Sequence, residues 1–129
     1  MITITEFYHP YLEHEDVINI VMSSFADKAV ANFIDSVKDN DAYKKHIVKD
    51  DIFTTYANFI KNVDNAMIVN DFVDSFDIDS IIDLVVEDAD EQLAGQDIDI
   101  DPEDESLPYM AKDTLKNITK AIVNKSEIF

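Results

Sequence analysis

The sequence predicts a mainly α protein, a compact bundle of five to six helices forming a single acidic helical domain over 1–129. Three observations carry that prediction. Breakers are scarce, with one glycine (Gly95) and three prolines (Pro10, Pro102, Pro108) in 129 residues. Apolar residues return at helical spacing in stretch after stretch. An apolar content of 47 %, with eight Phe and five Tyr, is enough to fill a core at this length. That last point separates the chain from an acidic disordered tail, which is poor in aromatic and aliphatic residues.

Each helix has its own signature. Residues 13–22 carry Val17, Ile18, Val21 and Met22, and this helix can run into the next. Residues 24–38 place Phe25, Ala29, Val30, Phe33, Ile34 and Val37 on one stripe, with Asp27, Lys28 and Asp35 turned outward. Residues 50–63 repeat the pattern with Ile52, Phe53, Tyr56, Phe59, Ile60 and Val63, opened by Asp50 and Asp51 at the positively polarised end. Residues 65–76 supply Ile68, Val69, Phe72, Val73 and Phe76. The helix over 79–93 buries Ile81, Ile82, Val85, Ala89 and Leu93. Asp79 or Ser80 is placed to cap its start, and Gly95 stands where a left-handed residue closes a helix. A last helix begins near Pro108, a residue favoured in the first turn. It turns Ala111, Leu115, Ile118 and Ile122 inward and Lys112, Lys116 and Lys120 outward.

Two stretches alternate instead. Ile2-Thr3-Ile4-Thr5 and the segment 97–101 read as a short two-stranded edge element, although a loop serves the second equally well. No internal repeat or interdomain linker is visible.

Charge is the feature that the fold does not require. The formal net charge is −18, and between Asp64 and Glu105 stand sixteen acids with no Lys, Arg or His. Residues 1–63 hold ten acids against six lysines, and residues 106–129 hold two against four. Like charges one helical turn apart cost a helix about 0.2–0.5 kcal/mol per pair. Halophilic adaptation would spread the acids and deplete lysine throughout, whereas here lysine is missing only from the middle. The chain contains no arginine, so the bidentate phosphate fork is absent. A surface this negative repels DNA, RNA and anionic lipid, and the expected partner is basic.

There are no cysteines, so thiolate chemistry and disulfides are excluded. Met1–Glu6 lacks the basic region and apolar stretch of a signal peptide, and no run of 18 apolar residues spans a membrane. A cytoplasmic protein is expected.

The candidate site is the acidic block. Asp79, Asp83, Glu87 and Glu91 recur every fourth residue, flanked by Asp88 and Asp90. Six acids over this stretch give one charge per roughly 3.3 Å of helix axis, close to the roughly 3.4 Å spacing of a single DNA strand. Asp64, Asp71, Asp74 and Asp77 extend the sign upstream, and Asp97, Asp99, Asp101, Glu103, Asp104 and Glu105 extend it downstream. Asp outnumbers Glu twenty to eight, although Glu is the better helix former. The shorter side chain holds its carboxylate more rigidly, which suits the imitation of fixed phosphates. The competing reading is a solvated face that serves solubility alone.

Other chemistries fit less well. Asp97, Asp99, Asp101, Glu103 and Glu105 copy the odd-position spacing of a calcium loop. Pro102 then falls where the turn needs Gly, and Pro108 where a bidentate Glu is required. No metal or cofactor is expected. There is no Gly-rich phosphate loop and no paired-histidine motif; His9, His14 and His46 lie outside the acidic block, and no catalytic residue stands out. An enzyme is not expected. Lys112, Lys116 and Lys120 can pair with the acidic helix or with a second subunit, at about 0–1 kcal/mol for each exposed pair.

The stretch from Asn70 through Leu84, with Glu87, Asp88, Ala89 and Asp90, resembles the acidic helices of Ocr-type antirestriction proteins, a class of phage DNA mimics. Anti-CRISPR proteins and inhibitors of uracil-DNA glycosylase include similar mimics. The resemblance implies a helical, strongly acidic, often dimeric inhibitor acting in the host cytoplasm. Such an inhibitor occupies the basic nucleic-acid-binding groove of a restriction enzyme, CRISPR effector or similar DNA-processing protein. The alternative is an acidic helical adaptor that binds through apolar residues such as Phe76, Tyr109, Met110, Ile128 and Phe129, its charge serving solubility.

Overall fold

The computed structural model describes residues 14–95 and 100–128, with side chains as far as 124. Among the described residues there are six α-helices and no strand. They are α1 (Glu15–Val37), α2 (Asp41–Lys44), α3 (Ile52–Asn62), α4 (Asn65–Ser75), α5 (Ile78–Gln92) and α6 (Ser106–Ile128). The expected mainly helical fold is thus observed. The candidate edge strand 2–5, and residues 97–99 of its partner, lie outside the described residues; Ile100 and Asp101 have no regular structure.

The helix boundaries follow side-chain chemistry. The two helices read over 13–22 and 24–38 are one, since nothing between Met22 and Phe25 interrupts the backbone. Aspartates start three of the shorter helices by accepting otherwise orphaned backbone N–H groups. Asp51 caps α3 through Thr54, Asp64 caps α4 through Ala66 and Met67, and Asp77 caps α5 through Ser80. The cap of α5 is therefore neither Asp79 nor Ser80. Asp77 also accepts from the Ser80 hydroxyl at 2.8 Å, which fixes the helix start two residues earlier. Gly95 does adopt a positive φ of 93° just beyond α5, as its position implies. Asp50, at φ 61°, takes the left-handed turn that delivers Asp51 to its cap; aspartate tolerates that region better than most residues.

Packing divides the chain into two compact units, residues 1–28 with 77–114 and residues 29–76 with 115–129. The chain passes between them within α1, at the junction of α4 and α5, and within α6.

The first unit buries Val17, Val21 and Phe25 of α1, the α5 stripe of Ile81, Ile82, Val85 and Ala89, and Leu107, Met110 and Ala111 of α6. The Ser24 hydroxyl, itself buried, donates to Asp88 Oδ2 at 2.6 Å and ties α1 to α5.

The second unit is built on aromatic rings. Phe33 is the hub, meeting Tyr43, Tyr56, Phe59 and Phe72 edge to face at centroid distances from 5.3 to 6.1 Å. Such pairs add about 0.5–1.5 kcal/mol each beyond burial. The short helix α2, capped by Asn40, carries Tyr43 into this cluster. Thr55, buried in α3, accepts from the Val48 N–H at 2.8 Å and so satisfies the chain just before the helix.

Two apolar residues expected inward face out. Phe53 is 57 % exposed and Val73 is 45 % exposed. Each follows a residue on the packed side of its helix (Ile52, Phe72), and one step rotates a side chain by about 100°, clear of the packed line.

By length and composition α1 is apolar enough to cross a membrane. Val17, Val21, Phe25 and Phe33 are instead wholly buried in protein, and the helix carries Asp27, Lys28 and Asp35.

Candidate acidic interface

On α5 the apolar stripe fixes where the acids point. With Ile81, Val85 and Ala89 buried, Asp79, Asp83, Glu87, Asp90 and Glu91 are exposed. At about 100° per residue these five lie within a sector of about 120°, along about 19.5 Å of axis. Four of them, Asp79, Asp83, Glu87 and Glu91, accept no hydrogen bond from a described residue. Asp90 accepts from the Ile100 N–H at 3.3 Å, anchoring the segment that follows the undescribed residues 96–99.

Asp88 is not part of this face. It is half-buried and turned toward α1, where its Oδ2 accepts from Ser24 and from Gln92 Nε2 at 3.1 Å. Without it the outward charges of α5 fall to one per roughly 3.9 Å of axis, looser than the roughly 3.4 Å of a DNA strand.

The remaining candidates divide by task. Asp77 is the cap of α5, and the Ser80 hydroxyl and N–H hold its carboxyl below the usual aspartate range. Asp101 Oδ1 accepts from the Glu103 N–H and Asp104 Oδ1 from the Ser106 N–H. These two aspartates shape the turn leading into α6. Glu103 and Glu105 are exposed beside them. Asp97 and Asp99 lie outside the described residues.

Asp71 and Asp74 belong to the second unit. Asp71 is half-buried and accepts the Tyr43 hydroxyl at 2.8 Å. Burial first, and then this bond to a carboxylate, push the tyrosine hydroxyl to a pKa well above its ordinary value. Asp74 is exposed.

The block that is free of cations in sequence is approached by one in space. Lys28 of α1 lines a shallow hollow of about 240 Å³ with Leu84, Glu87, Asp88 and Glu91. Between described side chains the one ion pair is Lys38 with Asp35, at 2.8 Å, so Lys28 stands near these acids without pairing. Lys112 lies over the Tyr109 ring at 5.9 Å, while Lys116 and Lys120 are exposed on α6.

Three contributors were not read from the sequence. Glu15 and Asp16, exposed in the first turn of α1, add to the charge of the first unit. They fall outside the 64–105 block, and no spacing connects them with it. Leu84, 51 % exposed, borders the acidic sector, about 20° beyond Glu91. Of the adaptor residues, Tyr109 is 40 % exposed, whereas Met110 is fully buried and Phe76 is half-buried against Phe72. The side chains of Ile128 and Phe129 are outside the description. Among the described residues no group of three His, Asp or Glu side chains gathers as a metal site.

No protein-family model, curated protein or solved structure matches the chain.

Proposed function

We propose that the protein is a DNA mimic, an inhibitor that places the outer face of α5 in the basic groove of a nucleic-acid-binding protein of its host's cytoplasm. The observation that supports this is the single-sided array of Asp79, Asp83, Glu87, Asp90 and Glu91 on an ordered helix. An array of this kind stands in for one strand's phosphates, and the basic partner exchanges its nucleic acid for carboxylates. Glu103 and Glu105 lengthen the same sign after the turn. Asp77, Asp88 and Asp104 hold the frame. Attraction between such surfaces is long-ranged, so association is fast and sensitive to salt.

The test is competition. A tagged copy is used to retain proteins from a lysate at low salt, and the complexes are then challenged with duplex DNA or with salt. Release by both, and loss of retention when Asp83, Glu87 and Glu91 are changed together to Lys, is the expected result. Asp35→Lys and Asp39→Lys serve as exposed controls with retention unchanged. Complexes indifferent to DNA and to salt contradict the proposal.

A second reading has its own observation. Leu84 and Tyr109 are exposed apolar groups in the acidic unit, which suits an adaptor that binds through apolar contact. In that case Leu84→Ala with Tyr109→Ala breaks the complex and charge reversal on α5 is mild.

A further inference from the structure

The fold sorts charge more sharply than the sequence does. The first unit holds nineteen acids and two lysines, a net of −17, and the second holds nine acids and eight lysines, a net of −1. Four of those eight lysines, Lys44, Lys45, Lys49 and Lys61, stand between Asp41 and Asp64, a stretch whose acids are Asp50 and Asp51 alone. It is net positive in a chain of −18. Asp51 is engaged as the cap of α3, its carboxylate accepting the Thr54 N–H at 2.9 Å and the Thr54 hydroxyl at 2.7 Å. The four lysines are exposed and form no ion pair with a described side chain.

Among the described helices α3 alone carries no acid. Thr55 and Phe59 are buried, and Phe53, Thr54, Ala57 and Lys61 are exposed. At about 100° per residue these four share a sector of about 100°. Phe53, at 57 %, is the most exposed of the large apolar side chains described. Ala57, one turn on, leaves an open step beside it. The loop before α3 is fastened along the edge of this face. There the Val48 N–H donates to Thr55 Oγ1 at 2.8 Å, and Asn58 Nδ2 donates to the His46 carbonyl at 3.4 Å. Lys45 and Lys49 each adjoin one of these anchored residues, and exposed Ile47 lies between them in the chain.

We propose that this face of α3, with its loop, takes an acidic peptide segment of a second partner, one that carries an apolar side chain among its carboxylates. Lys45, Lys49 and Lys61 supply the complementary charge, and Phe53 with Ala57 supplies the seat for the apolar residue. Charge selects the chemistry, since a basic partner of the kind that α5 attracts is repelled here. It also selects the size. A nucleic-acid duplex or an anionic bilayer presents more negative charge than four lysines neutralise, and the net charge of the chain opposes it. A short segment lies within the screening length of about 8 Å from the lysines, so local attraction decides. The patch belongs wholly to the second unit, and the inference does not rest on the role given to α5. Where both hold, the chain joins a basic protein to an acidic one.

The experiment titrates the full chain into a short fluorescein-labelled peptide of glutamates and aspartates that includes leucine and phenylalanine, and follows anisotropy at about 0.15 M ionic strength. Saturable binding is expected, weaker for a peptide of equal charge with serine in place of the apolar residues. Lys45→Glu with Lys49→Glu should weaken it by about tenfold, as the loss of two exposed ion pairs and their reversal implies. Lys116→Glu with Lys120→Glu, the same change of charge on α6, should leave it nearly unaltered. Phe53→Ala should weaken it severalfold with an unchanged helical circular dichroism spectrum. Absence of saturable binding, equal losses in the two charge-matched variants, or full affinity in Phe53→Ala overturns the proposal. So does tighter binding of labelled single-stranded DNA or of phosphatidylserine vesicles than of the peptide.

Discussion

At the scale of single residues, acids that look alike in the sequence have opposite roles. Asp64 and Asp77 accept backbone N–H groups that have no other partner, whereas Asp83 is exposed between Asp79 and Glu87 at helical-turn spacing. Asp64→Ala should destabilise by about 1 kcal/mol, the usual worth of a cap. Asp83→Ala should stabilise by several tenths of a kcal/mol, because two like-charge pairs vanish and alanine favours the helix. Chemical denaturation of both variants checks the two signs. A pH dependence follows from Asp77 and Asp51, whose carboxyls are held below the ordinary range by the Ser80 and Thr54 groups they cap. A depressed folded-state pKa gives stability that is present above the unfolded value, roughly 3.9, and is lost as pH falls through the folded one. The stability gap between wild type and Asp77→Ala should therefore be constant near neutrality and close below about pH 4. A gap that persists into strong acid contradicts the cap. Which acids serve the frame was not legible in the sequence, because a cap depends on the local dihedrals of its neighbours and an aspartate every few residues offers too many candidates.

At the scale of elements, the apolar stripes were legible and the exceptions have a common cause. The lines through Phe25, Ala29 and Phe33, and through Ile81, Val85 and Ala89, are buried as their spacing implies. Phe53 and Val73 are not, since periodicity alone treats every large apolar residue near the line as part of it. Neither α2 nor its buried Tyr43 was signalled, because four residues are too short for a period. Phe33 gathers four aromatic partners from α2, α3 and α4. Phe33→Ala should cost about 3–5 kcal/mol, while Phe53→Ala, at a 57 % exposed site, should change stability little. Thermal melts of the pair distinguish a true hub from a generally apolar bundle.

At the scale of the whole molecule, the division into units of −17 and −1 is the feature the linear sequence concealed. Reading the chain in order put Asp64, Asp71 and Asp74 with the acidic block; folding puts them with the lysines and adds Glu15 and Asp16 to the acidic unit. Self-repulsion in that unit should be relieved by screening, so the melting temperature should rise between about 10 mM and 0.5 M salt, where the Debye length shrinks severalfold. A flat response means the carboxylates are already compensated. The proposed groove-filling role depends on the uncompensated face of α5. The most direct measurement is the affinity of a captured basic partner for the wild type and for the Asp83→Lys, Glu87→Lys, Glu91→Lys variant, with and without competing duplex DNA. The account predicts a large loss of affinity in the variant and displacement of the wild type by DNA; equal affinities, undisturbed by DNA, contradict it.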